Sequence, residues 1–347
     1  MSTQLQGAGV GPQEEPAGPL TEAGAQTGLG TARGERVAAL LQRNGALIVL
    51  VLVGLVASLV FAAFATSGNL HNIALDSSFL ALVAFGMTFV ILTGGIDLSV
   101  GSVYALGGVL IAQASAHGTL VAVVAALGGC AAVGLVQGLV IARGGLPPFI
   151  VTLAGLLAVR GLVLHITQEG AQVPTIPPGP VRTLGQGSLL SLQYPVWITL
   201  VAFLVLLVVL NRTRFGQTLF AIGGRGDAAR LMGLSVARST TLVYVLSATL
   251  AGAAGALVAA RSSSGVPTVG VGVELNAIAA VVIGGTLLTG GAGTLQGTLC
   301  GVLLLDVIQN CINLVGNLDS SYQSVVSGVF LVGVVIVQTL LARRQRL

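Results

Sequence analysis

No lysine occurs in this chain; all fifteen of its basic residues are arginine. That absence removes a good deal of chemistry. A Walker A loop needs its lysine to reach nucleotide phosphates, so no ordinary P-loop can be built here. A Schiff-base mechanism is excluded for the same reason. Charge of either sign is scarce: only 7% of the 347 residues are charged, against roughly a quarter in a soluble domain. Cysteine is scarce too. Cys130, Cys300 and Cys311 all fall in apolar stretches with no C-x-x-C spacing, which suggests small buried hydrophobes and neither a disulfide framework nor a metal site. His71, His117 and His165 are scattered without ligand spacing, and no Ser/His/Asp grouping accompanies them.

Apolar residues make up 54% of the chain, and fifty residues are glycine. The apolar material is gathered in runs long enough to cross a hydrocarbon core. Small residues let helices approach closely in lipid, where no hydrophobic force drives them together. About ten runs are expected, at 45–65, 73–93, 98–116, 120–142, 147–167, 194–210, 240–260, 275–289, 294–314 and 322–342. The eighth is short for a 30 Å core, and Thr93-Gly94-Gly95-Ile96-Asp97 reads as either a turn or an interruption inside the membrane. Residues 1–40 are rich in Gly, Pro, Ala, Gln and Glu and are expected to form a disordered cytoplasmic tail, leaving 41–347 as one transmembrane domain. The tail does not resemble a signal peptide.

Starting inside and alternating, the cytoplasmic segments collect Arg33, Arg36, Arg43, Arg143, Arg212, Arg214, Arg225, Arg230, Arg238, Arg343, Arg344 and Arg346. The outer loops collect only Arg182 and Arg261, and Arg160 falls within a run. This bias predicts both termini in the cytoplasm and reads as topology signals, not as a nucleic-acid surface. An outer loop at 168–193 carries Pro174, Pro177, Pro178 and Pro180, and an inner loop at 211–239 carries five Arg. Within the latter, Gly226 to Leu234 is an amphipathic helical stretch.

Charges inside lipid usually face a bundle interior or a water-filled route, which singles out Asp97, Arg160, Glu274 and Asp306. Asp97 is placed to cap and orient a broken helix near Gly94–Gly101. Asp306, Gln309, Asn310 and Asn313 share one helical face, so they could line an aqueous path for hydroxyl-bearing cargo or simply bond helices together. Asn276 joins Glu274 at the start of the eighth run, and an ion pair of Arg160 with Glu169 or Glu274 is expected to be structural. Gly293, Gly297 and Gly301, like Gly134 and Gly138, form small-residue ridges for helix packing. Ile91-Leu92-Thr93-Gly94-Gly95 with Gly101-Ser102 is echoed by Leu287-Leu288-Thr289-Gly290-Gly291 with Gly297-Thr298, which suggests an internal repeat.

The stretch from Met87 through Thr93-Gly94-Gly95-Ile96-Asp97-Leu98-Ser99 to Ser102 resembles the signature segment of the ribose/xylose/galactoside permease family of ABC importers. Pro147-Pro148-Phe149-Ile150-Val151-Thr152-Leu153, Arg214-Phe215-Gly216-Gln217, Ala228-Ala229-Arg230-Leu231-Met232-Gly233-Leu234 and Thr289-Gly290-Gly291-Ala292-Gly293-Thr294 continue the likeness. Asn211–Gly216 and Gly270–Leu275 are similar to galactofuranose-type members. Where family members often carry Gly-Gly-Asn, this chain has Gly223-Gly224-Arg225. The resemblance implies an all-α polytopic fold in the bacterial inner membrane that imports a monosaccharide by alternating access. It implies no cofactor or catalytic residue in this chain; ATP-Mg would be held by a separate ATPase. Asp227, Ala228, Ala229, Arg230, Leu231, Met232 and Gly233 would dock into that ATPase, an extracytoplasmic binding protein would deliver sugar, and a second permease, copy or paralogue, would complete the pathway. The rival class is an ion- or proton-coupled secondary transporter using Asp97 or Asp306 as its coupling acid.

Overall fold

The computed structural model describes residues 45–315 together with 325, 328 and 329. The tail at 1–40 and nearly all of the tenth run lie outside the described residues. Eleven α-helices are described: α1 (Gly45–Val60), α2 (Ser67–Leu92), α3 (Val100–Ala114), α4 (Thr119–Gly144), α5 (Pro148–Ile166), α6 (Pro180–Gln186), α7 (Tyr194–Arg212), α8 (Arg214–Leu231), α9 (Val236–Ser262), α10 (Val273–Ile283) and α11 (Leu295–Val315). A two-residue hairpin, β1 (Ser188–Leu189) and β2 (Leu192–Gln193), sits between α6 and α7. Among the described residues, six helices, α2, α4, α5, α7, α9 and α11, are long and apolar enough to cross a membrane.

The core is built around α2 and α9. From Phe79 to Leu92 nearly every α2 side chain is buried, among them Phe85, Phe89, Val90 and Ile91. Close approach depends on glycine: a Cβ on Gly107 would strike Gly252, and one on Gly134 would strike the Tyr244 carbonyl. The ridges expected from sequence do face partners, Gly138 against Thr241 and Gly301 against the Ala280 carbonyl. By contrast α4, α5 and α7 turn Val124, Val136, Leu157, Val201 and Val208 outward. A helix that presents bare aliphatic side chains in this way is suited to lipid.

Segments that alternation assigns to one side do meet. Thr175 bridges Ser264, and Gln186 donates to the Arg261 carbonyl, joining two loops expected outside. Gly291 N–H donates to the Leu92 carbonyl at 3.0 Å, and Gly223 packs on both residues, joining three segments expected inside.

Two helices run only part of the way. α3 has 15 residues and α10 has 11, which at about 1.5 Å per residue is too short for a 30 Å core. Both begin level with the middle of α9. Ser247 and Gly252, near the centre of α9, contact Asp97 ahead of α3 and Gly107 within it. Gly101 and Gly270 in turn touch each other, leaving no room for a Cβ on either. Thus 93–99 enters the bundle from one end and 263–272 from the other, each leading into one of the two short helices. The eighth run, expected over 275–289, therefore ends early at Ile283. Gly285, at φ 91°, terminates it while Thr286 N–H bonds back to the Val281 carbonyl. α2 stops in the same way, with Gly94 at φ 79° and Gly95 N–H bonded to the Val90 carbonyl.

The sequence echo follows this geometry only in part. Gly101 and Gly297 both lie in a first helical turn, but Ile91-Leu92 ends a helix whereas Leu287-Leu288 lies in a loop.

Candidate functional site: a polar column and a kinked helix

The chemistry-bearing residues fall into three places. The first is the break between α2 and α3. Asp97 is wholly buried. Its Oδ1 accepts from Ser99 N–H at 3.0 Å and from Ser99 Oγ at 2.6 Å, and its Oδ2 accepts from Ser247 Oγ at 2.9 Å. Ser99 Oγ lies 3.1 Å from Gln137 Oε1 on α4, and Thr152 Oγ1 on α5 donates to the Ile96 carbonyl at 3.1 Å. Asp97 thus caps the turn ahead of α3, not the first amides of the helix itself, and ties the break to α4, α5 and α9. Gln137 Nε2 and the Tyr244 hydroxyl border this knot, buried and without a hydrogen-bond partner among the described residues.

The second place is the face of α2 against α11. Asn69 and Asn310 form a reciprocal amide pair, with Nδ2-to-Oδ1 distances of 2.9 and 2.8 Å. Asp306 lies one turn along α11, with its Oδ2 buried and unpartnered among the described residues. Gln309 is half-buried and Asn313 exposed. The four residues share one helix as expected, and Asn310 at least is engaged in holding α2 to α11. Asn276 is half-buried in the first turn of α10, a helix that packs against α11.

Arg160 departs from expectation. Its guanidinium donates to the carbonyls of Pro267 and Val269, at 2.9 and 3.0 Å, and so clamps the loop entering ahead of α10. Glu274 is close enough to influence it, but the expected ion pairs with Glu169 or Glu274 do not form. The one salt bridge among the described residues is Arg261 to Asp76, at 2.8 Å. Sequence reading passed over Asp76 because it sits inside an apolar run; its signal was the polar triplet Asp76-Ser77-Ser78 in that run.

The third place is α8, which is two helices. Arg225 breaks it at φ −155° and ψ 95°, so a short second helix follows the kink. Gly233, at φ 77°, ends it, with Leu234 N–H bonded to the Ala229 carbonyl. Leu231 is 90% exposed and Met232 68%, and Asp227 and Arg230 also face outward. Ala229 is fully buried, and Ala228 is half-buried. Within the stretch 227–233 expected to dock, Ala229 is therefore turned inward, and Leu231 and Met232 form the free edge. A cavity of about 300 Å³ separates Arg230 from Thr93-Gly94-Gly95, Gly145–Pro148 and Tyr244.

Comparison with known proteins fits this architecture. Residues 69–335 match the family described as "Branched-chain amino acid transport system / permease component". The ribose import permease protein RbsC of Escherichia coli K12 is 42% identical over 306 residues, covering 86% of this chain and 94% of that protein. RbsC of Bacillus subtilis is 38% identical over 307 residues, covering 88% and 94%. The L-arabinose ABC transporter permease protein AraH of Azospirillum brasilense is 38% identical over 291 residues, covering 83% and 85%. No solved structure matches. With three-quarters of its length inside the family match and relatives aligned almost end to end, the chain belongs to this family of membrane permease components.

Proposed function

We propose that this chain is the membrane-spanning permease subunit of an ATP-driven monosaccharide importer, with cargo of the size of ribose or arabinose. The single observation that carries the coupling mechanism is the kinked end of α8. Leu231 and Met232 are two large apolar side chains held almost bare beside the charged Asp227 and Arg230, while Ala229 is buried and Gly223, just ahead of the kink, packs on Leu92 and Gly291. Such an edge suits a cleft on a separate ATPase, which binds ATP-Mg and pushes the helix when it closes. Force then passes through Gly223 to Leu92 and Gly291, at the inner ends of α2 and of the loop before α11.

The remaining parts follow from this reading. The arginine bias sets the α8 end and both termini in the cytoplasm of a bacterial inner membrane. About ten crossings are completed by the run at 322–342. The half-length helices α3 and α10, entered from opposite ends, correspond to each other as an inverted repeat, with α2 matching α9. An extracytoplasmic binding protein delivers sugar to the outer mouth, and a second permease closes the path. Asp306, Gln309, Asn310, Asn313, Asn276 and Asp97 mark the polar route from outside to inside. The likeness at 211–216 and 270–275 keeps galactofuranose among the sugars to be assayed beside the pentoses.

The docking assignment is tested with the double variant Leu231→Asp, Met232→Asp. It is expected to insert and purify normally but to lose its ATPase partner on affinity purification. Retention of the ATPase by the double variant would show that α8 is not the docking helix.

A further inference from the structure

Three arginines from three helices line a single cavity of about 590 Å³. They are Arg143 in the last turn of α4, Arg230 on the kinked end of α8 and Arg238 in the first turn of α9. Among the described residues no aspartate or glutamate lines this cavity, and none of the three arginines makes an ion pair; the one salt bridge is Arg261 to Asp76. Like charges held round one cavity repel, and an anion between them removes that cost. Helix stability does not explain the cluster. Arg238 stands at the end of α9 that favours negative charge, so the helix gains nothing from a cation there. Ser235, just ahead of α9, adds to the lining a hydroxyl that makes no capping bond.

The rest of the wall is largely aliphatic. Leu139 and Leu242 line it, and Leu242 is 44% exposed. From there an aliphatic strip continues along α4 through Val140 and Val136, which also face outward. A cavity of this volume is large enough for a small-molecule headgroup. We propose that it holds the phosphate of an anionic phospholipid, whose acyl chains lie along α4 beside Val140 and Val136. Guanidinium forks match phosphate oxygens, and basic pockets between membrane helices on the cytoplasmic side take anionic headgroups. Free phosphate, or an acidic segment of a soluble partner, would use the arginines but leave the aliphatic strip bare. Because Arg230 belongs to the kinked helix, the lipid ties that helix to the ends of α4 and α9. The site rests on the membrane reading and on the inside placement of these arginines, and owes nothing to the identity of the cargo.

The test uses the full-length chain purified in neutral detergent and titrated with phosphatidylglycerol, phosphatidylcholine or inorganic phosphate, with bound ligand counted by native mass spectrometry. Phosphatidylglycerol is expected to bind at least about tenfold more tightly than phosphatidylcholine. Arg143→Gln with Arg238→Gln should weaken it about thirtyfold, roughly fivefold for each basic residue beside anionic lipid. Should that pair fail to fold, Arg238→Gln alone takes its place, with a loss of about fivefold. Arg212→Gln with Arg214→Gln removes the same charge outside the cavity and should leave the affinity nearly unchanged. Equal binding of the two lipids by the wild type overturns the site without any variant. Equal losses in the two glutamine pairs also overturn it, because they would mean diffuse attraction to charge. Arginine-dependent binding of inorganic phosphate with none of phosphatidylglycerol would make this a free-anion site. Loss of a co-purifying ATPase from the Arg143/Arg238 pair, with lipid affinity intact, would assign the arginines to that partner. No transport is read, so failure of the importer reading shows in uptake and failure of the lipid site shows here.

Discussion

At the scale of single residues, the most informative contrast is between polar groups that are satisfied and polar groups that are left waiting. Asp97 has both carboxylate oxygens occupied by serine donors, so in this conformation it is an anchor for the break ahead of α3. Asn310 is likewise engaged, through a two-way amide pair with Asn69. If that pair chiefly holds α2 to α11, then Asn310→Leu should destabilise the protein and strip Asn69 Oδ1 of its donor, while Asn69 Nδ2 keeps its bond to the Phe64 carbonyl. Asn69→Leu with Asn310→Leu together should then cost less than the sum of the single changes, with a coupling of about 0.6 kcal/mol by the standards of hydrogen bonds between membrane helices. Thermal unfolding of the four forms in one detergent reads this coupling; strictly additive losses would show the pair contributes nothing.

The element scale is governed by how close backbones come. α11 lies against α10 with Gly301 facing the Ala280 carbonyl and Gly297 facing Gly284, so a methyl group has nowhere to go. Gly128 in α4 has open space around it, although it is a helical glycine too. Opposite signs are therefore expected for the same substitution. Gly128→Ala should raise stability by up to about 1 kcal/mol through helix propensity alone. Gly301→Ala should lower it by about 1–3 kcal/mol, as overpacking does. Melting temperatures of the two variants, measured side by side, decide the point; the same sign in both would mean that the α10–α11 contact is not tight in the membrane. The short lengths of α3 and α10 belong to this scale as well. Gly94 and Gly285 each take the left-handed conformation that stops a helix, and the chain then re-enters the bundle from opposite ends.

At the scale of the whole molecule, the importer reading requires the polar residues of the bundle to be separated from the face on which the proposed ATPase would act. Asp76, Arg261 and Asp306 lie toward one end of the bundle and the free edge of α8 toward the other, with the half-length helices meeting between them. A permease built in this way should depend on ATP supplied to its partner and ignore the membrane gradient. In proteoliposomes, sugar uptake should persist with a proton and sodium uncoupler present and stop with vanadate. Collapse of uptake on dissipating the gradient, with ATP still present, would move the chain to the ion-coupled class and return Asp97 or Asp306 to the role of coupling acid.

The residue order alone carried much of this. Apolar runs of about twenty residues, glycine ridges and the arginine bias depend only on composition along the chain, so the helical membrane class, the positions of α2, α4, α5, α7, α9 and α11, and the family resemblance could all be read directly. The break at Gly94–Gly101 was legible for the same reason, because paired glycines and a capping Asp act locally. What the order could not settle were relations between distant segments. The partner of Asp76, the carbonyls that occupy Arg160, the burial of Ala229 and the early end of α10 are set by which helices become neighbours. Periodicity places a side chain on a face of its own helix, but only packing determines whether that face meets lipid, water or another backbone.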